Sequence, residues 1–166
     1  MTEQKKVRGK NRTPRHLARV FALLGLYQWF ADPTQDYASI EAHLPELVTD
    51  DNDDTAGLEL THEDLARANL AFLRVLLSGV LSRHEEITPI VSEAVENQLQ
   101  RVALVERCVL YLGTYELLAC PETPWRVIMN ESVELAKEFG GGNRYTNAVL
   151  QKIANVLRPE ETQHQA

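Results

Sequence analysis

The chain has 166 residues, 44% of them hydrophobic and 25% charged, with a formal net charge of −7. This is an ordinary globular mixture, long enough to bury a core without disulfide staples, and it excludes low-complexity and collagen-like chains. Apolar runs are short and broken by charge, which excludes a bilayer-spanning segment and a membrane partner, and the opening Met-Thr-Glu-Gln-Lys-Lys has no apolar signal core, so a cytoplasmic location is expected.

Elements of helical period follow one another along the chain. Residues 1–12 are expected to be a disordered basic arm, and the Thr13-Pro14 pair reads as a helix start, threonine capping and proline at the first helical position. Leu17, Val20, Phe21, Leu24 and Tyr27 then mark one helix face. A weaker helix is expected over 38–47, followed by an acidic, turn-prone loop at 50–57. Thr61 and Asp64 form a capping-box start, with Leu65, Phe72, Leu73, Leu76 and Val80 on the face that follows. A separate helix is expected after Thr88-Pro89, carried by Ile90, Val91, Ala94, Val95 and Leu99.

Val105, Cys108, Val109, Leu112 and Tyr115 mark the helix expected to be most buried. Thr123-Pro124 introduces another, with Ile128, Val133, Ala136 and Phe139. Gly140-Gly141-Gly142 should end it, and Asn143 should cap the last helix, whose face is Tyr145, Val149, Ile153 and Val156 or Leu157. Residues 159–166 are expected to be a disordered tail. No stretch alternates as a strand would, so the fold class is all-α: a compact bundle of about six to seven helices, with residues 13–158 as one domain.

Cys108 and Cys120 form neither CxxC nor a Cys/His cluster, which fits reduced thiols in core or loop. HExxH, GxSxG and GxGxxG do not occur, and the five histidines are scattered. No catalytic residue, metal or cofactor is therefore expected. Glu116, Glu131 and Glu134 read as exposed faces or interhelical pairs rather than an acid/base couple.

Charge is unevenly distributed. Residues 1–20 hold seven Lys/Arg against Glu3 alone, a net of +6, while the other 146 residues carry ten basic and 23 acidic side chains, a net of −13. Such an arm is either a ligand for phosphate polymers or a solvated tail, and charge alone does not choose. Arg12, Arg15, His16 and Arg19 share one face at the first helix start, against the preference of a helix N-terminus for acids. A bound phosphate would reverse that penalty. After the glycines, Arg144 and Tyr145 are a cation and an aromatic beside a helix start, the parts that hold an unpaired strand, although Tyr145 also fits a core position.

Three segments in order, RHLARVFALLGLYQW (15–29), VERCVLYLGTYELL (105–118) and PETPWRVIMNESVELAKEFGGGNRYTNAVLQKI (121–153), resemble the bacterial NusB transcription antitermination family. The resemblance implies two packed helical halves and binding of a boxA-type single-stranded RNA jointly with the ribosomal protein NusE. It implies action on transcribing RNA polymerase with other Nus factors, including at ribosomal RNA operons, with no cofactor and no catalysis. The free chain would be a monomer or a weak homodimer. Residue by residue, Arg15 and Arg19 match the family's N-terminal arginines and His16 a basic position. Arg144, Tyr145 and Asn147 match the Lys/Arg, Phe and Asn of the last motif. Tyr27 and Glu106 match positions that face NusE.

The chain departs from the pattern where Gly141-Gly142-Asn143 replaces a longer acidic-polar stretch containing an Asp, where Ala148 replaces a Gly, and where Leu24 replaces a frequent Gln. The expectation is that the glycine break brings Arg144 and Tyr145 beside Arg15, His16 and Arg19 in one RNA site. The alternative is a helical adaptor that binds NusE or another protein without reading RNA.

Overall fold

The first helix, α1 (Pro14–Ala31), starts at the expected Thr-Pro pair: the Thr13 hydroxyl accepts a hydrogen bond from the His16 amide at 3.0 Å, and Pro14 has no amide to leave unpaired. It is the first element of a computed structural model that describes residues 12–48 and 60–163. The acidic loop 50–57, the arm up to residue 11 and residues 164–166 lie outside the described residues. After α1 come α2 (Tyr37–His43) and a 3-10 turn (Leu44–Leu47), which together fill the expected 38–47 helix.

Helix α3 (His62–Arg67) opens with the expected capping box, in which the Thr61 hydroxyl and the Asp64 carboxylate each accept the other residue's amide at 3.1 Å. The run expected as one helix then breaks. Ala68 takes extended backbone, and Asn69 caps a new helix, α4 (Leu70–Ala94), by accepting from the Phe72 amide at 3.0 Å.

Thr88-Pro89 does not start a helix; α4 runs straight through it to Ala94. The Thr88 hydroxyl is paired with the Tyr111 hydroxyl at 2.7 Å and caps nothing. Pro89 and Glu85, whose carbonyl the proline cannot bond, are both exposed, so water can serve that carbonyl.

The remaining helices are α5 (Leu104–Ala119), α6 (Trp125–Glu138), α7 (Asn143–Leu157) and α8 (Pro159–Gln163). Thr123 does not cap α6, because Pro124 holds the cap position and α6 begins at Trp125. Helix α8 occupies the start of the expected disordered tail; it is tied down by Glu161, which accepts from the Trp125 amide at 3.0 Å and pairs with Arg158 at 3.1 Å. The described residues therefore hold eight α-helices.

Helix α5 is the hub. Every residue from Cys108 to Leu117 is buried, and α1, α4, α6 and α7 all pack against this helix; α1 pairs with α4 and α6 with α7, giving two helical halves that also meet between α4 and α7. Its last carbonyls would be orphaned in the interior. Arg158, 5% exposed, donates to the carbonyls of Glu116, Leu117 and Cys120 and so closes that end. Burial pushes the Cys108 thiol up to about 12 and the Cys120 thiol up to about 11, so both are inert core thiols at neutral pH.

Candidate nucleic-acid interface

At the start of α1 the cations are met by acids from two other helices. Arg19 is 4% exposed and forks onto Glu116 of α5, Nε to one oxygen at 3.0 Å and Nη2 to the other at 2.8 Å. Burial alone would lower its pKa; the hydrogen bond and charge of Glu116 outweigh that, and the net direction is upward. His16 is buried between two carboxylates of α6, Nδ1 at 2.8 Å from Glu131 and Nε2 at 2.6 Å from Glu138. Those two hydrogen bonds raise its pKa to about 9, so at neutral pH it is an imidazolium donating from both nitrogens. The hydrogen bond from His16 in turn holds the Glu131 carboxyl below its usual range.

Arg12 lies 3.7 Å from Glu138, and its carbonyl accepts from Arg67 at 3.0 Å. Three cations (Arg12, His16 and Arg19) thus face three carboxylates (Glu116, Glu131 and Glu138). A cleft of about 690 Å³ opens beside them between α1 and α6, lined also by Thr13, Glu134 and Lys137.

Arg15 differs from its neighbours. It is exposed, with its guanidinium carbon 3.8 Å from the centroid of the Phe72 ring of α4. Cation–π attraction of this kind holds the guanidinium against the ring and leaves its outer side to solvent.

The glycine turn between α6 and α7 closes with two crossed backbone bonds, Gly140 amide to the Lys137 carbonyl at 3.2 Å and Gly141 amide to the Ala136 carbonyl at 2.8 Å. Gly140 has φ +72, the left-handed conformation that a Cβ would strain. The cap of α7 is Gly142, not Asn143, which is the first helical residue and makes no side-chain cap bond. Arg144 and Asn147 stand exposed on α7. Tyr145 is half-buried against the core, and its hydroxyl is enclosed without a hydrogen-bond partner among the described residues. Burial, with Glu106 and Glu96 nearby, raises its pKa.

Glu106, in the first turn of α5, accepts from the Gly142 amide at 2.9 Å. Tyr27 is 43% exposed near the far end of α1.

The expected site is assembled in part. His16 and Arg12 reach Glu138, the last residue of α6, and Gly142 follows only one turn of chain later. The start of α1 is therefore tied to the end of α6, and the end of α6 to the start of α7. Among the described residues, however, no hydrogen bond, ion pair or ring contact joins Arg144, Tyr145 or Asn147 to residues 12–19. Sequence reading placed Phe72 only on an apolar helix face and did not name Glu138, whose signal was the i, i+3, i+7 stripe of Glu131, Glu134 and Glu138 along one face of α6.

The NusB family model matches residues 16–155. The transcription antitermination protein NusB of Dechloromonas aromatica (strain RCB) is 40% identical over 157 residues, covering 93% of this chain and 86% of its own. That of Thiobacillus denitrificans is 38% identical over 152 residues, covering 90% of this chain and 94% of its own. Among solved structures, T. maritima NusB aligns with a TM-score of 0.67 at 26% identity, covering 92% of this chain and 99% of that one. No helix among the described residues is long and apolar enough to cross a membrane. By sequence and by fold, the chain belongs to the NusB family of transcription antitermination proteins.

Proposed function

We propose that this protein serves transcription antitermination by binding a boxA-type single-stranded RNA jointly with the ribosomal protein NusE, and that the complex acts with other Nus factors on transcribing RNA polymerase, ribosomal RNA operons included. The observation that carries the reading is the chain of contacts from α1 to α7: Arg12 and His16 to Glu138, then the glycine turn, then Arg144. It supports one continuous edge with exposed arginines at both ends.

In this reading the cations divide their labour. Arg15 and Arg144, exposed and in no ion pair among the described residues, contact phosphates or stack on bases. Arg12 and Asn147 stand at the margins of the same edge. His16 and Arg19 are too deeply paired to meet RNA directly, and they act by holding α1 in place. Tyr145 offers the outer part of its ring for stacking. Tyr27 and Glu106 face the protein partner, and the acidic remainder of the chain suits a basic ribosomal protein.

A second reading has a specific observation behind it. Three of the four cations at the start of α1 are matched by carboxylates, so that face is less positive than its sequence suggests. This favours a protein-binding adaptor that does not read RNA.

Titrating a short boxA-like RNA and a scrambled strand, with and without NusE and across a salt series, separates the two. The RNA reading expects preference for the boxA-like strand, tighter binding with NusE, and a salt slope that falls by about 0.7 for each phosphate contact removed by Arg15→Glu or Arg144→Glu. Binding to NusE with no preference between strands establishes the adaptor instead.

A further inference from the structure

The glycine turn is built against one side chain of α5. The Glu106 Oε1 accepts from the Gly142 amide at 2.9 Å across 36 residues of sequence. A Cβ on Gly142 would stand 2.6 Å from that same oxygen, and a Cβ on Gly141 would stand 3.2 Å from Val105 and 3.6 Å from Glu106 Cγ. Gly140 is needed for its backbone conformation, whereas a side chain at Gly142 would push the Glu106 carboxylate away from the amide it holds. The first residues of α7, Arg144 and Tyr145, follow immediately, and the same carboxylate acts on Tyr145 electrostatically.

Resting on the RNA reading above, we infer that Glu106 is a positioning residue of the RNA site: by holding the Gly142 amide it sets where α7 begins, and so where Arg144 and Tyr145 are presented. A helix start capped only by glycine has no side chain of its own to define its first turn. Glu106 supplies from α5 an acceptor for the cap's own amide, the part that a Glu or Gln at the third helical position plays in a capping box. The assignment concerns what the carboxylate does within the chain, and its effect on RNA binding is separable from any contact with a protein partner.

The test uses the full chain without a partner, a short boxA-like RNA and a scrambled control. Glu106→Gln keeps an oxygen able to accept from Gly142, whereas Glu106→Ala does not. Both remove the same negative charge, so any gain from lost repulsion of RNA is common to the two and cancels in their ratio. The expected result is that Glu106→Ala binds RNA about fivefold more weakly than Glu106→Gln. Gly142→Ala, which displaces the carboxylate, should weaken binding in the same direction. In the labelled protein, the Gly142 amide resonance should move and exchange faster with solvent in Glu106→Ala but not in Glu106→Gln. Equal affinities for the Gln and Ala variants, with the wild type still preferring the boxA-like strand, overturn the inference and leave the RNA reading standing. A wild-type chain that does not distinguish the strands, alone or with NusE added, removes the RNA reading and this inference together.

Discussion

At the start of α1, His16 and Arg19 are buried against carboxylates, whereas at the start of α7 Arg144 stands in solvent beside a half-buried tyrosine. Both helices lack acids in their first turn, and both place cations where the helix dipole disfavours them. What separates them is their surroundings. Helix α1 runs over the acidic stripe of α6 and the Glu116 position of α5, so its cations complete a buried ionic cluster. Helix α7 starts on a glycine turn, and the Glu106 carboxylate there is bound to the backbone of that turn. A basic residue at a helix start is therefore not by itself a nucleic-acid contact; its meaning depends on whether another helix supplies an anion.

The comparison breaks most decisively at Arg19. Replacing it with alanine leaves Glu116, 2% exposed, without its main ionic partner, and the loss of stability should be about 3–5 kcal/mol in a denaturant titration. A chain that unfolds as readily as wild type but loses RNA affinity would instead place Arg19 on the binding surface. Charge reversal at Arg19 consequently tests folding first, and only Arg15 and Arg144 can report on RNA alone.

The next effect is a dependence on pH. The folded pKa of His16, about 9, lies above its ordinary 6.5, so the folded state favours the charged form. Its stabilisation is fully present below about pH 6.5 and is lost progressively as pH rises through 9, on the order of 3 kcal/mol in all. The difference in unfolding free energy between wild type and His16→Gln, measured from pH 6 to 10, should shrink across that window. A constant difference would mean that His16 is not the charged bridge between Glu131 and Glu138.

At the exposed positions the balance reverses. Arg15→Ala and Arg144→Ala should each change stability by no more than about 0.5 kcal/mol, apart from the Phe72 contact of Arg15. Each should nonetheless weaken RNA binding and lower its salt slope by about 0.7. Unchanged affinity in both variants, measured by titration, would favour the adaptor reading.

The smallest expected effect sharpens the view of α7. Tyr145→Phe removes a hydroxyl that is enclosed without a partner among the described residues, so stability should hold or rise by up to about 1 kcal/mol while RNA affinity is kept. A loss in thermal unfolding measurements would show that the hydroxyl has a partner in solution.

Much of this molecule was legible in the residues themselves. The Thr13-Pro14 start, the Thr61/Asp64 box, the buried face of α5 and the left-handed Gly140 are local rules, set within one turn of chain by hydrogen-bond geometry and side-chain periodicity. The three ordered motifs likewise carried the family. The same local rule failed at Thr88-Pro89, because a tyrosine 23 positions later claims the threonine hydroxyl and solvent serves the carbonyl that the proline leaves unpaired. It failed again at Asn143, where a carboxylate from α5 holds the turn instead of the asparagine side chain. Tertiary packing alone decided which cations are buried, because Arg19 and Glu116 are 97 residues apart and His16 and Glu138 are 122 apart. Periodicity records which face of a helix is apolar, but the identity of the polar group waiting across an interface depends on how the helices cross, and no local pattern encodes that.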